Sequence, residues 1–366
     1  EILHRSDCGG YSTVLDNDAS VSVTHNSRPS NIRHTPACSM NLILFKRGEI
    51  SEDGKSIQLQ DKDPRTKHIF GHLRKVDGDF VTIGIISGGR GKAIVYTKGE
   101  DGKRLELVVD DSNGDSSCLA SPSDGGSYRH EIVLVLSLPF PKRLKGLWAQ
   151  ITSMGVTRIC IIRGALSDPS YCKSSVITPQ VYRPLVEEGM SQGCHTQEVN
   201  VDVAVDEVVS RDILEKLGLG AEAAAALSPT TTTTTVDTDP SSSCDDARIF
   251  LDCGDETMEP LPCRQVILNQ LATPGSPTTP TPKRIFVAIG SERGWTDDEA
   301  KLFHEAGYES ASLGRSILRV DTAVIAGLGI VSATIDEMEL KPGELLDKGN
   351  PEESPSRKRK QDRMGV

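Results

Sequence analysis

The 366-residue chain has no apolar run near the ~18 residues that a membrane-spanning helix requires. Its longest runs, Ile132–Leu138 and Val324–Ala333, suit a buried strand and a buried helix. It has no CxxC pair. Its nine cysteines are odd in number and scattered, which favours reduced thiols over a disulfide framework. Its eight histidines do not cluster with cysteine at ligand spacing, so no metal site is expected. There is no GxxxxGK[ST] loop for a nucleoside triphosphate. A formal charge of -11 argues against nucleic-acid binding through a whole-protein positive field, though not through a local basic groove. The chain starts at Glu1 rather than Met, which leaves a preceding targeting segment open.

What is present is enough sequence for two ordinary domains. Hydrophobic residues make up 37%, not counting 33 glycines, an ordinary share for a globular chain. Residues 1–40 are polar and aperiodic and read as a loosely ordered leader. From 41 to 110, "NLILF", "DFVTIGII", "KAIVY" and "LELVV" are short β-branched runs parted by turn residues, the pattern of a small barrel-like β domain. Residues 111–130 read as a linker. From 131 to 335 apolar strands alternate with amphipathic helices, which predicts an α/β domain whose parallel sheet is covered on both faces. Low-complexity inserts near 219–246 and 272–282 interrupt it, and a charged tail spans 336–366. In that tail Arg357–Lys360 reads either as a nuclear import signal or as an ordinary basic terminus.

The stretch "RIFVAIGSERGWTDDEA" (284–300) reads as strand, tight loop and helix start. Gly290 and Gly294 bracket the loop, and Thr296 with Glu299 forms a capping box that starts a helix at Asp297. A phosphate site would leave that helix terminus free for an anion. Here Glu292, Asp297 and Asp298 surround it, which favours a ligand with a positive centre or a neutral purine. Downstream, "SLGRSILRVDTAVIAGLGIVSA" (312–333) gives a loop at Gly314–Ser316 and a helix from near Asp321. Gly327 and Gly329 each cost that helix about 1 kcal/mol relative to Ala, so a close neighbour is expected there. Arg315 and Arg319 flank the loop as cations for RNA; Arg319 reads equally as an ion-pair partner of Asp321 or Glu292.

Together "IGSERGWTDDE" and "LGRSILRVDTA" resemble the two C-terminal motifs of the RsmE family of ribosomal RNA uridine-N3 methyltransferases, in the SPOUT class. Weaker matches are "KHIFGHLRKVDGDFVTI" (67–83), similar to a segment of that family's PUA-like N-terminal barrel, and "KGLWAQITSMGVTRICII" (145–162). "ARIFLDCGDETMEPL" (247–261) sits where the family places its first knot strand. The resemblance implies a SPOUT-type parallel sheet ending in a trefoil knot, preceded by a PUA-like β-barrel. It implies S-adenosyl-L-methionine as cofactor, small-subunit ribosomal RNA as substrate and a homodimer.

By the same resemblance the cofactor residues are Leu251, Ile289, Gly290, Glu292, Gly294, Leu313, Gly314, Ile317, Leu318, Thr322 and Ala323. Arg319 is the candidate to stabilise a uridine anion. The chain departs from the family at Ser291 and Arg293, which stand in a Pro-Glu-Gly-Gly motif, and at Asp321, which replaces a glutamate. These departures leave open a knotted RNA- or ribosome-binding module without chemistry. Lys67, His72 and Arg74, with Lys142 and Arg143, are candidate phosphate contacts. The expected compartment is cytoplasm or an organelle such as a mitochondrion or plastid.

Overall fold

The computed structural model describes residues 42–98, 104–110, 130–220, 246–254, 260–271 and 284–339. The leader at 1–40, nearly all of the 111–130 linker and of both inserts, and the Arg357–Lys360 run lie outside the described residues.

The first sheet has five strands: β1 (Leu42–Phe45), β2 (Ser56–Leu59), β3 (Phe80–Ile85), β4 (Arg90–Lys98) and β5 (Arg104–Val109). Their order is β1-β3-β4-β5-β2, with β1 parallel to β3 and the other pairs antiparallel. A bridge between Ile50 and Ile57 draws the segment after β1 toward β2 on the far edge. Strand alternation puts Phe45, Ile57, Val81, Ile83, Ile85 and Leu107 in one apolar core. A short helix α1 (Pro64–Lys67), capped by the Asp63 side chain, and a π-helical turn (His68–His72) close one side.

The second sheet has six parallel strands: β6 (Glu131–Ser137), β7 (Arg158–Arg163), β8 (Asn200–Val208), β9 (Asp246–Leu251), β10 (Arg284–Ile289) and β11 (Glu309–Ala311). Their order is β11-β9-β10-β6-β7-β8. One face packs against α2 (Pro141–Ser153), α3 (Pro179–Gln192), α5 (Cys263–Leu271) and α7 (Val320–Glu339). The other takes Leu214 of α4 (Arg211–Lys216) and Phe303 of α6 (Asp297–Glu305). The covering of both faces expected from the nearly all-apolar strands is therefore present. Helix α2 illustrates the local logic. Pro141 opens it where no N–H is needed, and Leu144, Leu147, Trp148 and Ile151 recur at helical spacing on its buried face.

The two apolar cores share a strand. In β1, Ile43 and Phe45 enter the first core, while Leu42 and Leu44 join the core of the parallel sheet. Polar ties reinforce this seam: Ser191 Oγ donates to the Leu42 carbonyl, Arg90 donates to the Cys194 carbonyl at 3.1 Å, and Ser87 N–H donates to the Thr196 carbonyl at 2.7 Å.

The structure differs from sequence expectation at several element boundaries. Strands β2 and β8 and helix α5 are additions, the strands being short or charge-interrupted. Leu219 is fully buried, so the chain stays packed past the expected start of the first insert. Helix α7 continues to Glu339, past the expected start of the tail at 336. Ile335 and Met338 keep packing on the core, and Glu337 pairs with Arg264 of α5 at 2.7 Å.

One buried ion cluster anchors the start of the sheet. Asp246 accepts from Arg248 at 3.0 Å and from Arg284 at 2.7 Å, and the Arg248 guanidinium sits 4.6 Å from the Phe286 ring centre. The Arg248 side chain is only 4% exposed. Asp246→Ala strands that cation and is expected to cost about 3–5 kcal/mol in urea unfolding. Arg264→Ala, which removes an exposed pair, is expected to cost at most about 1 kcal/mol in the same measurement.

Candidate nucleoside-binding site

Strands β11, β9 and β10 are neighbours, and the segments leaving their carboxyl ends converge on a cleft of about 320 Å³. Ligands of open parallel sheets bind at this edge, where the loops are free of the ladder. Three segments line the cleft: Leu251–Cys253, Ile289–Trp295 and Leu313–Leu318, completed by Val320 and Ala323 of α7.

The middle segment is a tight turn. Gly294 N–H donates to the Ser291 carbonyl at 2.9 Å. Gly294 has φ +74°, which only glycine adopts without strain. A Cβ on Gly290 would meet the Gly294 backbone at 2.8–3.0 Å. Both glycines read from the sequence are therefore sterically required. The capping box is present as well: Thr296 Oγ1 accepts from Glu299 N–H at 3.3 Å, and Glu299 accepts from Thr296 N–H at 2.8 Å. Glu299 is buried, and its other oxygen accepts from Ala165 N–H at 2.7 Å, tying the helix start to the exit of β7.

The third segment is braced from below. Ser312 N–H donates to the Leu261 carbonyl at 2.8 Å, and the Ser312 carbonyl accepts from Cys263 N–H at 2.9 Å, which joins it to the start of α5. Gly314, at φ +119°, turns the chain upward. Beneath the cleft, a Cβ on Gly327 would meet Leu251 Cδ1 at 2.9 Å, with Ile289 and Leu313 beside it. The glycine in the helix thus lets α7 seat directly under all three strand exits. Gly329 has no such neighbour, since only Met154 Cε lies near, at 3.9 Å.

Most of the anticipated cofactor residues meet here: Leu251, Ile289, Gly290, Glu292, Gly294, Leu313, Gly314, Ile317, Leu318 and Ala323 all line the cleft. Thr322 does not; it is exposed on the first turn of α7. Sequence reasoning missed Asp252, Cys253, Ser291, Arg293, Trp295, Ser316 and Val320 as lining residues, although each lies within two residues of a motif position. Glu292 reaches the rim, but its carboxylate is engaged by Arg143 at 2.7 Å and by Phe140 N–H at 3.0 Å. Arg143, expected on RNA, is therefore a partner of the cleft loop. Arg319 lies outside the lining and pairs with Asp321 at 2.9 Å, one of the alternatives its position allowed. Lys67, His72 and Arg74 lie on the first sheet's side, exposed, near the π-helical turn; Lys142 is exposed at the start of α2. His304 is exposed, with its ring edge-on to Phe250 at 5.0 Å.

The cleft's chemistry suits a nucleoside better than a phosphate. Its charged lining residues are Asp252, Glu292 and Arg293, and its rim carries Ile317, 87% exposed. Ser291 Oγ and Trp295 Nε1 are buried without hydrogen-bond partners among the described residues. Such groups are rarely left unpaired unless something else satisfies them.

Residues 242–332 match the RNA methyltransferase domain family. Over a longer span, the chain is 26% identical over 297 residues to ribosomal RNA small subunit methyltransferase E of Treponema pallidum, covering 80% of this chain and 91% of that one. Two solved structures share the fold. Ribosomal RNA small subunit methyltransferase E from Neisseria gonorrhoeae, bound to S-adenosyl methionine, superposes with a TM-score of 0.51 at 17% identity, over 80% of this chain and 97% of that one. A probable rRNA-methyltransferase from Porphyromonas gingivalis gives 0.52 at 15% identity, over 81% and 98%. The resemblance to the RsmE family read from the two motifs therefore holds along most of the chain.

Gly290→Ala forces the turn apart and is expected to cost about 1–3 kcal/mol in thermal or urea unfolding. Gly329→Ala, in a helix interior with room for the methyl, is expected to be neutral or stabilising by up to about 1 kcal/mol.

Proposed function

We propose that this protein is an S-adenosylmethionine-dependent methyltransferase acting on N3 of a uridine in small-subunit ribosomal RNA. The observation that carries the proposal is the convergence of both sequence motifs on one cleft at the carboxyl edge of the sheet. The similarity to ribosomal RNA small subunit methyltransferase E along four fifths of the chain supports the substrate.

The cleft residues fit the cofactor. Beside Gly294 and Gly314, where a Cβ would meet nothing within 4 Å, the backbone is open to an adenine and ribose. Trp295 Nε1 is a donor awaiting an acceptor, and Asp252 on the rim suits a positive centre. When bound, S-adenosylmethionine would supply a sulfonium methyl whose leaving group is the neutral thioether, and the N3 proton would pass to water. The protein's part is positioning and electrostatics. Arg143 and Glu292 fix the loop, and Arg319, paired with Asp321 outside the lining, is the cation for the uridine anion.

In the same reading the three strand exits form a trefoil knot, the first sheet is a PUA-like barrel whose Lys67, His72 and Arg74 grip phosphates, and the active unit is a homodimer. The half-exposed α7 residues Ile325 and Ile330 suit such packing. One observation favours a second reading, an RNA-binding module without catalysis: Arg319 is held by Asp321 rather than turned into the cleft.

Two measurements test the proposal. Cys253 is exposed on the cleft, whereas burial pushes the Cys160 and Cys263 thiols up to about 12. Iodoacetamide is expected to label Cys253 and spare the other two in the folded protein, and S-adenosylmethionine is expected to slow the Cys253 reaction. Labelled methyl should then pass to undermodified small ribosomal subunits, with a reverse-transcription stop at one uridine. Cofactor protection without methyl transfer would favour the second reading; neither would sink both the cofactor site and the activity.

A further inference from the structure

A second cavity of about 190 Å³ adjoins the cleft, and the two share Ser291, Glu292 and Arg293 as lining residues. Its other side is aromatic. Phe140, 42% exposed at the start of α2, stands edge-on to Tyr171 with ring centres 5.7 Å apart. A large ring left exposed at the mouth of a cavity is an unused stacking surface. The volume is below the ~300 Å³ at which pockets begin to hold whole small ligands, so it suits a single flat ring entering from a larger molecule.

The shared residues supply the polar groups. Ser291 is only 8% exposed, and its Oγ has no hydrogen-bond partner among the described residues. Arg293 lines both cavities, with the Asp168 carboxylate near enough to feel its charge. Phe140 itself is pinned, since its N–H donates to Glu292, which also holds Arg143. The pocket thus offers a fixed ring to stack on, a hydroxyl and a guanidinium on the side facing the nucleoside cleft, and a shape that takes one base.

Resting on the methyltransferase reading, we propose that this smaller cavity receives the acceptor uracil, stacked on Phe140, with its imide edge turned toward Ser291 and Arg293. A uracil carries two carbonyl acceptors flanking N3, which a hydroxyl and a guanidinium can both engage. Arg293 also stands where negative charge grows as N3 loses its proton. It adds to the electrostatic role given to Arg319, from a position that lines both cavities.

The test uses the full chain and a short RNA of cytidines with one central 5-iodouridine. Irradiation followed by peptide mapping is expected to give an adduct on Phe140 or Tyr171. By fluorescence anisotropy, Phe140→Ala should weaken binding of the corresponding uridine oligonucleotide about tenfold, with Phe140→Trp restoring it. Arg293→Gly should weaken it severalfold, and the all-cytidine RNA should change little in either variant. Unchanged circular dichroism and melting temperature establish that the variants are folded. Adducts confined to other surfaces, or uridine affinity unchanged in both Phe140→Ala and Arg293→Gly, overturn the pocket assignment. Calorimetric titration with S-adenosylmethionine separates the two claims. Loss of that binding in the unaltered chain refutes the cofactor reading, while the cross-link still reports on the base pocket.

Discussion

The site depends on how closely backbone can approach backbone at the exit of β10. With Gly290 a Cβ's width from the Gly294 main chain, the loop folds back on itself and leaves a trough instead of a bulge. Neighbouring features serve that turn. The Thr296–Glu299 box fixes where the next helix begins, and the buried Glu299 carboxylate joins it to the end of β7. Gly327 lets α7 rise close under the strand exits, so the floor of the cleft is made by Leu251, Ile289 and Leu313. A cleft built this way presents main chain and aliphatic surface, with few charges of its own. That is the environment in which a neutral purine loses little on desolvation.

One charge of the cleft and one cation beside it are already engaged. Glu292 is taken by Arg143 and by the amide of Phe140, and Arg319 by Asp321. The first of these couples the cleft loop to the start of α2, so the cofactor side and the aromatic side of the Ser291–Arg293 segment are held as one unit. The sharing of β1 between two apolar cores does the same at larger scale, because the basic surface near α1 is carried on a sheet that packs into the α/β core.

Much of this was legible in the sequence, and for identifiable reasons. The apolar runs that became β6, β9 and β10 lack alternation because both their faces are covered, and that pattern needs no tertiary knowledge to read. The capping box and the two bracketing glycines are local signals, governed by dihedral angles and nearest neighbours, and they appeared at the residues read. What stayed hidden depends on the fold. Strand β8, "NVDVAVDEV", has acidic residues along it and lies at the sheet edge, so its period is blurred. The tail boundary was set by charge at Asp336 and Glu337, but those charges face outward while Ile335 and Met338 go on packing. Arg143 and Arg319 were visible as cations; which carboxylate each would meet was fixed only when β10 and α2 came together.

The central claim is that the strand exits of β9, β10 and β11 enclose a nucleoside rather than an anion. A crystal structure of the chain grown with S-adenosylhomocysteine tests it most directly. The adenosine is expected to lie between Leu251–Cys253, Ser291–Trp295 and Leu313–Leu318, with the Trp295 indole N–H or the Gly290–Gly294 backbone hydrogen-bonded to it. An empty cleft with the nucleoside bound elsewhere, or a phosphate or sulfate seated in that position instead, would contradict it.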